Sequence, residues 1–161
     1  VCVLLLYLPG QTARTAALIV FCIAAFTDFL DGQIARRQHI VTTFGKFIDP
    51  VADKLLVCSA MICLVDMSRI PSWIVIIIIG REFVISGFRL IASDNGVVIA
   101  ANYWGKCKTV CQMFMIIILI ANLGGGFVIV EQILIYASLI LTVISLITYL
   151  WQNRSVLSMQ E

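Results

Sequence analysis

Long apolar segments separated by short polar stretches constrain this chain more than any other feature of its sequence. A helix needs about 20 mostly apolar residues to cross a bilayer. Segments of that kind predict membrane-spanning helices at Thr15–Arg36, Thr43–Asp66, Ser72–Ser93, Tyr103–Asn122 and Phe127–Trp151. Val1–Leu8 is predicted to be the remainder of a further span. The expected fold is all-α: a six-helix transmembrane bundle, one domain over 1–161, with its first helix and N-terminal segment incomplete.

The composition excludes most soluble classes of protein. Hydrophobic residues make up 61% of the chain and charged residues 12%, whereas soluble domains have roughly 25% charged residues. A net charge of +2 without a basic run gives no support for a nucleic-acid partner. The six cysteines form no C-x-x-C pair, so neither a disulfide framework nor a zinc site is expected. Cys107 and Cys111, one helical turn apart, leave a cysteine metal site as an alternative.

Lysine and arginine are unevenly divided between the two sides of the membrane that alternating spans define. Only Arg14 and Arg69 fall on one side. The other side holds nine: Arg36, Arg37, Lys46, Lys54, Arg81, Arg89, Lys106, Lys108 and Arg154. Cytoplasmic flanks of membrane proteins are enriched in these residues, so the second side is predicted to face the cytoplasm.

Asp28 and Asp31 lie near the predicted cytoplasmic end of their span. Gly32 and Ala35 fall on the same helical face, within about 60° of Asp28. One face therefore combines two carboxylates with two residues that have almost no side chain, which lets a ligand approach the backbone. Charged groups inside a span cost about 2.5–3.5 kcal/mol each on insertion scales and indicate function.

A second pair of aspartates opens the next span. Gly45, Asp49 and Asp53 follow one another at intervals of four residues and form one stripe along a helix. Pro50 lies within this stripe, and we expect the helix to continue through it rather than to start again there. Both spans thus carry a carboxylate pair at their predicted cytoplasmic end.

Four carboxylates in a medium of low dielectric repel one another unless cations lie between them. Mg²⁺ or Mn²⁺ suits such an oxygen-ligand site, and two such ions can clamp a phosphate during its transfer. Ion pairs with Arg36 or Lys54 would explain one or two of the aspartates. A cation transporter is a second alternative, although transporter sites lie near the bilayer midplane.

The acidic residues resemble the signature of the CDP-alcohol phosphotransferase family: Asp28-x-x-Asp31-Gly32-x-x-Ala35-Arg36, eight residues, then Gly45-x-x-x-Asp49-x-x-x-Asp53. The resemblance implies that two divalent ions are bound by Asp28, Asp31, Asp49 and Asp53. It makes Asp53 also the general base, and it implies a homodimer. The CDP site that it implies consists of Asp28, Gly32, Ala35, Arg36 and Gly45. The chemistry agrees, because an arginine offers a planar fork for phosphate and a carboxylate can take a proton from a hydroxyl.

A set of basic residues in the later spans indicates the acceptor. Arg81 and Arg89 lie about 80° apart around one ideal helix. Lys106 and Lys108 open the next span and point about 200° apart, so we expect only one of them to face the site. Arginines midway along a span require an anionic partner, which a phosphorylated acceptor supplies. Topological charges, and an ion pair between Glu82 and Arg89, are the alternatives.

The same region extends the resemblance to bacterial family members that use glycerol 3-phosphate: Arg81-Glu82-Phe83, Gly87-Phe88-Arg89, Gly96-Val97 and Gly105-Lys106-x-Lys108-Thr109. This implies transfer of a phosphatidyl group from CDP-diacylglycerol to glycerol 3-phosphate at the cytoplasmic face of a bacterial inner membrane. The acceptor's phosphate would be held by Arg81, Arg89, Lys106 and Lys108. The basic residues disfavour serine as acceptor but leave inositol phosphate open.

Overall fold

The computed structural model describes residues 10–38, 43–94 and 103–153. The regular elements of these ranges are all helices: α1 Gln11–Gln38, α2 Thr43–Asp66, α3 Ser72–Asp94, α4 Tyr103–Ala121 and α5 Phe127–Gln152. The predicted all-α fold is confirmed for this part of the chain, and each helix matches its predicted span to within a few residues. As predicted, α2 runs through Pro50 without a break. The partial span predicted at Val1–Leu8 lies outside the described residues.

Helix α2 ends in a hydrogen-bonded turn that fixes where α3 begins. Ser68 has a φ of 57°, and its amide donates to the carbonyl of Val65 at 2.8 Å. The amide of Arg69 donates to the carbonyl of Leu64, also at 2.8 Å. This pair of bonds satisfies the last carbonyls of a helix in the Schellman manner. Pro71 follows two residues later. Because proline disfavours helical backbone in the residue before it, α3 begins only after Pro71.

The glycine run Gly124, Gly125 and Gly126 after α4 forms a turn. Gly124 and Gly125 have φ angles of 68° and 56°, in a region that costs glycine no side-chain clash. The amide of Phe127 then donates to the carbonyl of Gly124 at 3.2 Å. The turn lets α5 start six residues after α4 has ended.

The chain forms two compact units. The first comprises Val1–Ile70 with Ile116–Leu123, and the second Pro71–Met115 with Gly124–Glu161. Helices α1 and α2 pack together in the first unit, and α3 and α5 pack together in the second. Within the first unit, the side chain of Arg69 donates a hydrogen bond to the side chain of Asn122, which joins the C-terminal ends of α2 and α4. The single domain predicted over 1–161 remains a prediction.

Helix α5 has a polar interior face and an apolar exterior face. Its buried residues are Glu131, Ile135, Ser138, Thr142, Ser145 and Tyr149. Its exposed residues include Ile129, Ile133 and Ile147, at 68%, 61% and 62% exposure. A surface helix of a soluble protein shows the opposite arrangement. Small polar residues between helices and apolar residues outside are typical of membrane helices.

Two helices in the described ranges are long and apolar enough to cross a membrane, namely Tyr103–Ala121 and Phe127–Gln152. Their most apolar windows are 33% and 28% buried inside the structure. They therefore differ from the mostly buried core helix of a soluble domain. This outward apolar surface is what a bilayer would cover.

Candidate active site

The predicted metal and nucleotide residues lie on α1 and α2, the helices that pack together in the first unit. Helix α1 carries Asp28, Asp31, Gly32, Ala35 and Arg36, and α2 carries Gly45, Asp49 and Asp53. Their side chains lie outside the described part of the structure, so the roles of these residues remain predictions. The helical backbone at both places keeps the spacing that puts each acidic pair on one helical face.

The donor set of these two helices fits the divalent ions that the family resemblance implies. Four aspartates offer oxygen atoms alone, and no cysteine or histidine belongs to the set. Oxygen donors are the preferred ligands of Mg²⁺ and Mn²⁺. The chemistry of the residues is therefore compatible with such ions at this end of α1 and α2.

Arg81 is held inside the second unit by side chains of its own helix and of α5. It is 8% exposed. Its Nε donates to Ser145 Oγ at 2.9 Å, and its Nη1 donates to Glu82 Oε1 at 2.9 Å. Its remaining nitrogen, Nη2, lies beside Gly105 at the start of α4, 3.1 Å from the point where a Cβ would stand. The guanidinium is therefore fixed along two of its edges.

Lys108 shares the carboxylate of Glu82 with Arg81. It is 2% exposed, and its Nζ donates to the same Oε1 atom at 2.6 Å. The three side chains, Arg81, Glu82 and Lys108, form what we call the buried charge cluster, with two cations and one anion. Charges interact strongly in a medium of low dielectric. The Glu82 carboxylate therefore stabilises both buried cations.

Arg89 and Lys106 lie in different surroundings from the buried charge cluster. Both side chains are exposed. The guanidinium carbon of Arg89 lies 5.6 Å from the ring centroid of Tyr149, and Phe88 meets that ring edge-on at 5.8 Å. A cation over an aromatic face is stabilised while its N–H edges stay accessible. These two exposed side chains can reach a soluble anion without breaking an internal ion pair.

The structure separates the four predicted acceptor residues into a buried pair and an exposed pair. Of the two lysines, Lys108 turns inward and Lys106 outward, which agrees with the expectation that they point in different directions. Glu82 pairs with Arg81 and Lys108, whereas the alternative considered from the sequence was a pair with Arg89. Whether each residue binds the acceptor remains a prediction.

Two residues of this region received no role from the sequence. Ser145 bonds to Arg81, and Tyr149 underlies Arg89. The signal that could have found them is the spacing of small polar residues in an otherwise apolar span. Ser138, Thr142 and Ser145 recur at intervals of four and three residues, which indicates a buried helical face.

Comparison with known proteins identifies the family. Residues 1–144 match the description of the CDP-alcohol phosphatidyltransferases. The chain belongs to this family, so the resemblance found in its aspartate signature is confirmed, and with it the prediction of a phosphatidyltransferase enzyme.

Several curated relatives have the name CDP-diacylglycerol–glycerol-3-phosphate 3-phosphatidyltransferase. The Bacillus subtilis protein is 50% identical over 104 residues, which cover 65% of this chain and 54% of that protein. The Rickettsia typhi protein is 37% identical over 153 residues, covering 92% of this chain and 86% of the relative. The Haemophilus influenzae protein is 39% identical over 153 residues, covering 92% and 82%.

Proposed function

We propose that the protein transfers the phosphatidyl group of CDP-diacylglycerol to glycerol 3-phosphate, giving phosphatidylglycerol phosphate and CMP. The observation that carries the proposal is the similarity to relatives of that name over 92% of the chain. The exposed cations Arg89 and Lys106 support it, because an acceptor that bears a phosphate suits them better than a neutral alcohol does.

The proposed reaction assigns separate tasks to the acidic helices. Asp28, Asp31 and Asp49 are ligands of divalent ions, which would offset negative charge on the diphosphate when bound. Gly32, Ala35 and Gly45 leave room for the cytidine nucleotide, and Arg36 binds its phosphate. Asp53 takes the proton of the acceptor's hydroxyl. The acceptor oxygen then forms a bond to the lipid-linked phosphorus, and the phosphorus–oxygen bond to CMP breaks in line with it.

The basic residues of α3 and α4 bind the acceptor in this proposal. Arg89 and Lys106 are exposed and offer N–H groups directly to the phosphate of glycerol 3-phosphate. Arg81 and Lys108 lie in the buried charge cluster, and Nη2 of Arg81 is the guanidinium nitrogen that bonds to neither Ser145 nor Glu82. The exposed pair thus accounts for capture of the anion, and the buried pair for its orientation.

We propose a six-span arrangement in the bacterial inner membrane, with the reaction at the cytoplasmic face. Tryptophans concentrate at the two surfaces of a bilayer. Trp73 is exposed at the start of α3, Trp104 at the start of α4 and Trp151 at the end of α5. Alternating spans put the first of these at the outer surface and the other two at the cytoplasmic surface. The proposal includes a homodimer, on the basis of the family resemblance alone.

The direct test supplies purified protein with labelled CDP-diacylglycerol and Mg²⁺, and offers one acceptor at a time. The acceptors are glycerol 3-phosphate, inositol phosphate and serine, and the lipid product is identified by mass spectrometry. We expect phosphatidylglycerol phosphate and an equal amount of CMP with glycerol 3-phosphate alone. A lipid product with inositol phosphate but not with glycerol 3-phosphate would replace the proposed acceptor.

Asp53→Asn tests the assignment of the general base in the same assay. We expect CMP release to fall below detection, because the amide cannot accept the proton of the acceptor. Asp66→Asn is the matched control, since Asp66 ends the same helix and is exposed. Turnover by Asp53→Asn comparable with that of the control would remove the base assignment.

A further inference from the structure

We propose that Ser145 and Tyr149, on the buried face of α5, are positioning residues for the two arginines of α3. The inference rests on the proposed function, which assigns Arg81 and Arg89 to the phosphate of the acceptor. Neither residue of α5 touches the reacting groups in this proposal. Each acts by fixing the direction in which one arginine presents its N–H groups.

The hydroxyl of Ser145 both donates and accepts a hydrogen bond, and the accepted bond holds Arg81. Its Oγ donates to the carbonyl of Thr142 at 3.2 Å, and accepts from Arg81 Nε at 2.9 Å. Ser145 is fully buried. Because its proton is directed at the backbone, the lone pairs of the oxygen are directed at the guanidinium. A buried side chain with both partners in place has one preferred orientation.

The orientation of Arg81 is therefore set by α5 together with Glu82. With Nε on Ser145 and Nη1 on Glu82, the guanidinium plane is defined, and Nη2 is the nitrogen that remains for an anion. Gly105 leaves the room that Nη2 occupies, since a Cβ there would lie 3.1 Å away. A guanidinium fixed in advance loses less conformational freedom when it binds phosphate.

Tyr149 supports Arg89 through the face of its ring. The ring is buried and lies 5.6 Å from the guanidinium carbon, while Phe88 holds it from the side at 5.8 Å with an interplanar angle of 80°. Arg89 itself is exposed. The ring of Tyr149 thus holds the exposed guanidinium of Arg89 in one position. The N–H edges of that guanidinium remain accessible to the ligand.

Ser145 and Tyr149 are four residues apart and share one face of α5, which packs against α3 in the second unit. One helix face therefore sets the positions of both arginines. Another serine, Ser138, lies on the same face and is also fully buried. Its hydroxyl has no hydrogen-bond partner among the described residues, so it provides a matched control.

The test compares Michaelis constants for the two substrates in detergent-purified variants. Ser145→Ala is expected to raise the KM for glycerol 3-phosphate by up to about tenfold, since a guanidinium that is no longer fixed loses more conformational freedom on binding. The KM for CDP-diacylglycerol is expected to stay unchanged. Tyr149→Leu is expected to raise the acceptor KM about threefold, while Tyr149→Phe keeps the ring and stays near the wild type.

Ser138→Ala controls for the removal of a buried hydroxyl from α5, and both of its KM values should equal those of the wild type. The proposal is overturned if Ser145→Ala behaves like Ser138→Ala, or if it changes both KM values equally. If Ser145→Ala does not fold, the comparison of Tyr149→Leu with Tyr149→Phe decides by the same criterion. A wild-type protein that does not use glycerol 3-phosphate refutes the proposed function itself, and this inference with it.

Discussion

The two pairs of cations in the second unit differ in what already surrounds them. Arg81 and Lys108 are buried and both donate to Glu82. Arg89 and Lys106 are exposed, and Arg89 lies against an aromatic ring rather than a carboxylate. The helix on which a cation lies does not determine its surroundings, since α3 and α4 each contribute one buried and one exposed cation. Burial and partners divide the four residues into a buried pair held by Glu82 and an exposed pair.

The difference shows that an arginine inside a span does not by itself indicate a substrate. An arginine midway along a span requires an anionic partner, and for Arg81 that partner is Glu82. The same carboxylate also accepts a hydrogen bond from Lys108. The orientation of the buried pair therefore depends on Glu82 staying in place.

The largest effect is expected from Glu82→Gln, which removes the charge shared by both buried cations but preserves the shape of the side chain. Leaving buried charge uncompensated lowers the free energy of unfolding by about 3 kcal/mol. Thermal melting in detergent without substrates measures this. Lys106→Met is the control, because it removes an exposed cation outside the cluster. A melting temperature for Glu82→Gln equal to that of the control would contradict the description of the buried pair.

The next largest effect is expected from Arg89→Ala, on binding rather than on stability. Loss of a charge-assisted contact with phosphate should raise the KM for glycerol 3-phosphate about tenfold. The KM for CDP-diacylglycerol should remain as in the wild type. If both constants rise together, the exposed pair does not bind the acceptor selectively, and the division between the two pairs loses its functional meaning.

The smallest effects compare the two lysines of α4. Lys108→Met removes one of the two cations that donate to Glu82 and leaves Arg81 paired with it, so we expect the free energy of unfolding to fall by about 1 kcal/mol. Lys106→Met should change it by less than about 0.5 kcal/mol, as exposed substitutions usually do. Chemical or thermal unfolding of both variants under one condition is the measurement. An equal loss of stability in the two variants would mean that burial does not distinguish these lysines.

Local spacing was sufficient to predict the helices of the described residues. The five described helices follow from apolar length and from the breaks at Pro71 and the glycine run. The family was indicated by the resemblance of the aspartate motif to the family signature. The period of a helix shows only that each aspartate pair shares one helical face. Features within one helix or one turn can be inferred from neighbouring residues.

The partners of the cations could not be predicted in that way. Ser145 is 64 residues from Arg81, and Lys108 is 26 residues from Glu82. Both contacts depend on how α3, α4 and α5 pack, which the helical period does not define. The helical period predicts that Lys106 and Lys108 point in different directions, but it does not predict which of them turns inward.

The central claim is that the carboxylates of α1 and α2 bind divalent ions together. Electron paramagnetic resonance of Mn²⁺ titrated into the purified protein tests it, with Asp31→Asn on the first helix and Asp49→Asn on the second. We predict that each single substitution weakens Mn²⁺ binding by at least about tenfold. Even substitutions of residues that only contact metal ligands weaken metal binding by about that factor. An affinity for Mn²⁺ unchanged by either substitution would contradict the claim.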